Sequence, residues 1–252
     1  MKKNTIFLAC LLAISAISFS FVKVPAKKKD TAKEVSFIST NKATEIIHDH
    51  GTEVFILSNS LNNNLALTSK GLSANTLEVA VTGYLNLKEQ GVLKNENLLS
   101  IIDFSQSSRK KRFYLLDIKN NKLIVNTYVA HGKNSGVDVA TNFSNIVGSE
   151  KSSLGFYITK GTYTGKNGFS LRLTGLDEGF NDKAEARAIV VHGADYVNAD
   201  RVNTAYMGRS QGCPALPRTD YMKVIDLIKD GSALLVYSPD EDYLNSSQIL
   251  NS

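Results

Sequence analysis

From Arg112 onward the sequence reads as β structure. Residues 113–118 and 123–129 are short apolar runs rich in β-branched and aromatic side chains, and Asn120-Asn121 between them is a hairpin signal. Further strands are expected at 155–159, 170–176, 188–192 and 233–237, separated by Gly/Ser/Asn-rich loops at 133–145 and 162–168. One helix interrupts them: Thr219 or Asp220 caps it, Met222, Ile225, Leu227 and Ile228 supply its apolar side, and Gly231 ends it. The stretch from Arg112 onward is therefore expected to be rich in β structure.

The chain before this stretch is organised differently. Leu77, Ala80, Val81, Tyr84 and Leu85 recur at helical spacing, with Ser73 or Asn75 as N-cap and Gly91 near the end. Residues 98–104 predict a short helix or strand, and 42–67 read as surface structure, so 42–111 form a partly helical N-terminal region. Residues 27–41 are a polar, lysine-rich linker, and 240–252 a C-terminal tail. At the very start, Lys2 and Lys3 precede an apolar run over 5–22 and then Val24-Pro25-Ala26. That is the pattern of a signal peptide or membrane anchor within 1–26, and it predicts an exported, periplasmic or envelope-associated protein. The net charge of +5 is spread over the chain apart from Lys27-Lys28-Lys29 and Arg109-Lys110-Lys111-Arg112. With no helix-turn-helix, zinc-finger or aromatic RNA-binding signature, nucleic acid is not the expected partner.

Cysteine usage narrows the chemistry. There are two cysteines: Cys10 lies inside the apolar run, and Cys213 is the one thiol of the remaining chain. A lone thiol in an oxidising compartment is a candidate reactive group. It sits in Gly208-Arg209-Ser210-Gln211-Gly212-Cys213-Pro214, too polar and glycine-rich to cover a buried apolar cysteine. About twenty residues earlier, the β-branched run Ile189-Val190-Val191 delivers His192 at its end. A thiol is mostly protonated at neutral pH, and a histidine within hydrogen-bond reach can take the proton. Gly212 lets a carbonyl approach the sulfur, and the backbone N–H groups of Gly212 and Cys213 can stabilise a tetrahedral oxyanion. One cysteine and scattered histidines do not provide zinc-ligand spacing.

These residues resemble the murein L,D-transpeptidase catalytic domain family (YkuD-like), and most closely its Bacteroidota-type branch. The resemblance is carried by His131-Gly132, Phe143-Ser144-Asn145, Gly148-Ser149, Ser152-Ser153-Leu154-Gly155, Tyr163-x-Gly165-Lys166-x-Gly168, His192-Gly193-Ala194 and Gly208-Arg209-Ser210-x-Gly212-Cys213-Pro214. It implies a mainly β (α+β) catalytic domain over 112–239, a curved β-sheet or sandwich with a helix after the cysteine and a helical N-terminal extension. It also implies a cysteine enzyme that acts on the peptide stems of peptidoglycan through an acyl-enzyme, with no metal or organic cofactor. Cys213 is then the nucleophile, His192 its base, and Ser210 and Gly212 parts of the catalytic turn. His131, Tyr163, Lys166, Arg209 and Gln211 are expected to contact the stem. Gln211 stands where many members have histidine, and Ala215 where many have arginine. Two other readings stand beside this one: an L,D-carboxypeptidase or endopeptidase on the same stems, and a non-catalytic wall-binding module.

Overall fold

The computed structural model describes residues 49–252; the apolar run and the polar linker lie outside the described residues. The described chain begins with two helices, α1 (His50–Leu65) and α2 (Ala74–Glu89). Ser73 caps α2 by accepting from the Thr76 N–H through its hydroxyl. Eight strands follow: β1 (Leu98–Asp103), β2 (Phe113–Asp117), β3 (Lys122–Thr127), β4 (Gly155–Gly165), β5 (Gly168–Gly175), β6 (Val190–Ala194), β7 (Ala215–Pro217) and β8 (Ala233–Tyr237). Helix α3 (Tyr221–Ile228) lies between β7 and β8, and α4 (Glu241–Ser246) follows β8.

The strands form one mixed sheet in the order β3-β2-β1-β8-β4-β5-β6-β7, in which β1–β8 and β6–β7 are parallel. Its two edges meet beyond β3, where Ala130 bridges Ala215 and Gly132 bridges Ser210, so the sheet nearly closes on itself. The sheet starts earlier than Arg112: β1 lies between β2 and β8, which gives 98–103 a central place in the sheet. The expected loop over 162–168 is instead the extended end of the β4–β5 hairpin, paired from Tyr163 with Ser170 to Gly165 with Gly168. The tail contains α4, with Asp240 as its cap.

Alternation along the central strands divides the core into two layers. Leu99, Ile101, Tyr114, Leu116, Leu235 and Tyr237 face α1 and α2, meeting Leu77, Ala80, Val81 and Tyr84. Ile102, Phe113, Leu115, Leu234 and Val236 point to the other side, onto Val224, Ile225 and Ile228 of α3. Strands buried on both faces read as continuous apolar runs, which is why 98–103 carries no period-2 signal. Helix α2 approaches the sheet at Gly83, where a Cβ would fall 2.2 Å from the Phe156 ring.

Candidate active site

Strand alternation sets the site. Tyr163 pairs with Ser170, Ser170 with His192, and His192 with Ala215, a row across β4, β5, β6 and β7. Arg172 pairs with Val190 on the same face, while Leu171, Leu173 and Val191 point into the core. The pleat therefore presents Tyr163, Arg172, Val190 and His192 on one side. A groove of about 340 Å³ runs over this side, lined by Tyr163, Arg172, Leu173, Glu185, Ala188, Ile189 and Val190. The Arg172 guanidinium stacks 4.4 Å from the centre of the Tyr163 ring.

Cys213 is half-buried, its thiol 3.7 Å from the carbonyl oxygen of Ala188, which is one of the residues that line the groove. The backbone N–H of His192 donates to the Pro214 carbonyl at 3.3 Å, so histidine and cysteine occupy adjoining segments of β6 and the β7 lead-in. The His192 ring is buried, with Nδ1 3.1 Å from the Gly193 carbonyl oxygen. A carbonyl can only accept, so Nδ1 carries the proton and Nε2 keeps the free lone pair a base needs.

The electrostatics favour a neutral resting pair. Burial pushes the Cys213 thiol up, against a backbone hydrogen bond from Val190 and the charge of Arg187. Burial pulls His192 down, opposed by its bond to Gly193 and aided by the Arg218 charge. The thiol's resting hydrogen bond runs to Ala188 rather than to His192. A thiol and a neutral imidazole can still react by general-base catalysis, in which the proton moves as the sulfur attacks.

The turn before the cysteine is held by its own serine. The Ser210 hydroxyl accepts from the Gly212 N–H at 3.0 Å and donates to the Cys213 carbonyl at 2.6 Å. Ser210 therefore orders the turn, and its hydroxyl is engaged there. The Gly212 N–H is spent on this bond, whereas the Cys213 N–H makes no hydrogen bond among the described residues. Gly212 adopts φ +121°, and a Cβ there would fall 2.8 Å from the Lys151 carbonyl oxygen. Its own carbonyl accepts from the Ser152 hydroxyl at 3.3 Å.

The expected stem contacts separate on inspection. Tyr163 lines the groove. Lys166 is exposed at the tip of the β4–β5 hairpin. Gln211 is exposed on the rim, 3.5 Å from Glu150, which also pairs with Lys133 at 2.6 Å. Arg209 turns away: it stacks over Tyr206 at 4.6 Å and donates to the Lys133 and Gly136 carbonyls. His131 is fully buried between Arg112 and the Gly136 carbonyl. A larger cavity of about 820 Å³ lies elsewhere, between the β3 edge and 217–223, and neither Cys213 nor His192 lines it.

Two residues here went unnoticed in the sequence. Tyr196 follows β6, and its hydroxyl is pushed up to about 12 by burial and by the nearby Cys213 charge, with Arg218 opposing. Arg187 donates to the Ser144 and Lys151 carbonyls, each at 2.6 Å, and to the Ser149 and Ser153 hydroxyls. Three of these partners, Ser144, Ser149 and Ser153, belong to the motif pieces at 143–145, 148–149 and 152–155, and Lys151 lies between the last two.

A half-buried thiol lies on the segment that adjoins the strand of a tautomer-fixed histidine, at the seam of a nearly closed mixed sheet. The chain matches the model of the L,D-transpeptidase catalytic domain family over residues 68–237 and belongs to that family. Among solved structures it is similar to an L,D-transpeptidase from Mycobacterium smegmatis, with a TM-score of 0.36, 13% identity, and coverage of 56% of this chain and 59% of that one. It is also similar to an L,D-transpeptidase from Stackebrandtia nassauensis, with a TM-score of 0.32, 13% identity, and coverage of 66% and 68%. The chain thus spans less than two thirds of the M. smegmatis protein. No curated protein matches it in sequence.

Proposed function

We propose that this chain is a cysteine-dependent peptidoglycan L,D-transpeptidase. The observation that carries the reading is the fixed tautomer of His192, whose Nδ1–H is held by the Gly193 carbonyl on the strand that adjoins the cysteine turn. Nε2 takes the proton from the Cys213 thiol as the sulfur attacks the carbonyl of the third residue of a donor stem. The tetrahedral oxyanion accepts from the Cys213 N–H. Collapse breaks the peptide bond, and His192 returns the proton to the leaving D-amino acid's nitrogen, which leaves a thioester on Cys213. The side-chain amine of a second stem then attacks the thioester, gives its proton to Nε2, and releases the sulfur. Water in place of the amine gives L,D-carboxypeptidase trimming from the same intermediate. The groove past Tyr163 and Arg172 receives the donor stem. The Lys2-Lys3 and 5–22 pattern supports action in the cell envelope.

Incubation of the full chain with purified tetrapeptide muropeptides, followed by mass spectrometry, tests the reading. Cross-linked dimers and a covalent adduct on Cys213 are expected. Trimmed stems alone would assign carboxypeptidase activity, and no product and no adduct would leave a wall-binding module. Activity that survives Cys213→Ala would remove the cysteine from the mechanism.

A further inference from the structure

Arg187 presents a positive charge with no carboxylate to answer it. All four N–H bonds of its two terminal nitrogens go to neutral oxygens: the carbonyls of Ser144 and Lys151 and the hydroxyls of Ser149 and Ser153. Among the described residues it makes no ion pair. The guanidinium is half-buried, where a charge is screened less than at the surface. It lies against the cysteine turn: a Cβ built on Gly212 would be 3.4 Å from Nη2, and 2.8 Å from the Lys151 carbonyl oxygen that Nη2 binds. The backbone is bent to bring it there. Ala188 sits at φ +52°, a left-handed conformation that costs an alanine about 1 kcal/mol. The Ala188 carbonyl of that turn lies 3.7 Å from the sulfur. Position 215, two residues past the nucleophile, is a fully buried alanine that supplies no charge.

Resting on the reading of Cys213 as nucleophile, we infer that Arg187 is a positioning residue that serves as the fixed counter-charge of the Cys213 sulfur when it gives up its proton. The S–H electron pair stays on sulfur, the proton goes to His192 Nε2, and the guanidinium faces the anion that remains. The clamp on 144–153 holds the charge in place, and the charge in turn offsets part of the cost of ionising a buried thiol. Attraction runs both ways, since the sulfur also favours the charged form of Arg187. The other ionisable groups that face the thiol are His192 on β6 and Tyr196 after it; Arg218 acts on both of these. Glu150 and Lys151 stand on the clamped loop.

The test reads the thiol itself. In a full chain carrying Cys10→Ser, the rate of iodoacetamide alkylation of Cys213 is followed by peptide mass spectrometry from pH 6 to 10.5. An opposite charge within about 4–6 Å typically moves a titration by 1–3 units. Arg187→Gln is therefore expected to move the midpoint up by about one unit or more, with about tenfold less thiolate at a given pH below it. Arg187→Lys keeps the charge and should stay near wild type. Ser149→Ala with Ser153→Ala loosens the clamp but keeps the charge, and should also stay near wild type. An unmoved midpoint in Arg187→Gln overturns the inference. So does a shift in the double serine variant as large as that of Arg187→Gln, because Arg187 would then act only through the loop. If Arg187→Gln does not fold, a shift of about a unit in Arg187→Lys or in the serine variant overturns it equally. Turnover by Cys213→Ala would fail the nucleophile reading; an unmoved midpoint with a dead Cys213→Ala would fail this inference alone.

Discussion

The guanidinium of Arg112 donates from Nη2 to Nδ1 of His131 across 2.7 Å, and both side chains are fully buried. Arg112 also donates to the Val129 and Gln106 carbonyls and stacks over Phe104. His131 therefore has Nδ1 as acceptor and Nε2–H pointing at the Gly136 carbonyl, 3.3 Å away. Its neutral form is the one this arrangement accepts.

Burial, with the Arg112 charge behind it, holds His131 down to about 4. An unfolded chain binds this proton near 6.5. Below that pH the unfolded state takes up the proton first, so stability is full above 6.5 and falls as pH drops towards 4. The loss over that window is expected to be roughly 3 kcal/mol. Urea denaturation at pH 7.5 and 4.5 checks it against His131→Gln, which should lose this part of the pH dependence. Equal pH slopes in the two proteins would contradict the assignment.

His192 sets the acid limb of acylation. Burial holds its pKa below the ordinary 6.5, so the imidazole stays a competent base into mildly acidic solution. The rate of Cys213 acylation against pH should lose its activity below 6.5, and His192→Ala should slow acylation by about a hundredfold or more. An acid limb centred above 6.5 would show that another group governs it.

Gly212 tolerates no side chain. Its φ of +121° and the Lys151 carbonyl 2.8 Å from a built Cβ act together. Gly212→Ala should cost about 1–3 kcal/mol and abolish acylation by turning the Cys213 N–H away. Calorimetry and adduct mass read the two effects; wild-type acylation in this variant would refute the oxyanion role.

The groove is tested at Tyr163. Removing the ring that Arg172 stacks on, by Tyr163→Ala, should raise the KM for muropeptides several-fold and leave alkylation of Cys213 by iodoacetamide unchanged. A loss of alkylation would mean that the ring supports the sulfur instead of the stem.

The strands that alternate or end in a clear turn were legible from residues alone: β2, β3 and their Asn120-Asn121 turn, the β6 run that ends in His192, and α3 before β8. Cys213 stood out because its glycine turn has no apolar neighbours to cover a thiol, and His192 because a β-branched run ends in it. β1 was ambiguous because all six of its residues are buried, which erases the period. β7 is three residues long and hides inside the motif it completes. His131 is read as a cleft residue because its motif resembles a site; its burial against Arg112 leaves no mark in the sequence. Arg187 could not be found at all, since its four partners come from the loop 144–153, about forty residues away along the chain.

The pairing of β1 with β8 has a consequence for how the chain acquires its shape. Leu99 pairs with Leu116 on one side but finds its other neighbour only at Ala233, and β8 also supplies the other neighbour of β4. Until the final strand is available, β1 and β4 each expose an open edge. Such non-local closure makes folding slow relative to helical proteins of similar size. A chain truncated before 233 would meet aggregation before it met its own fold.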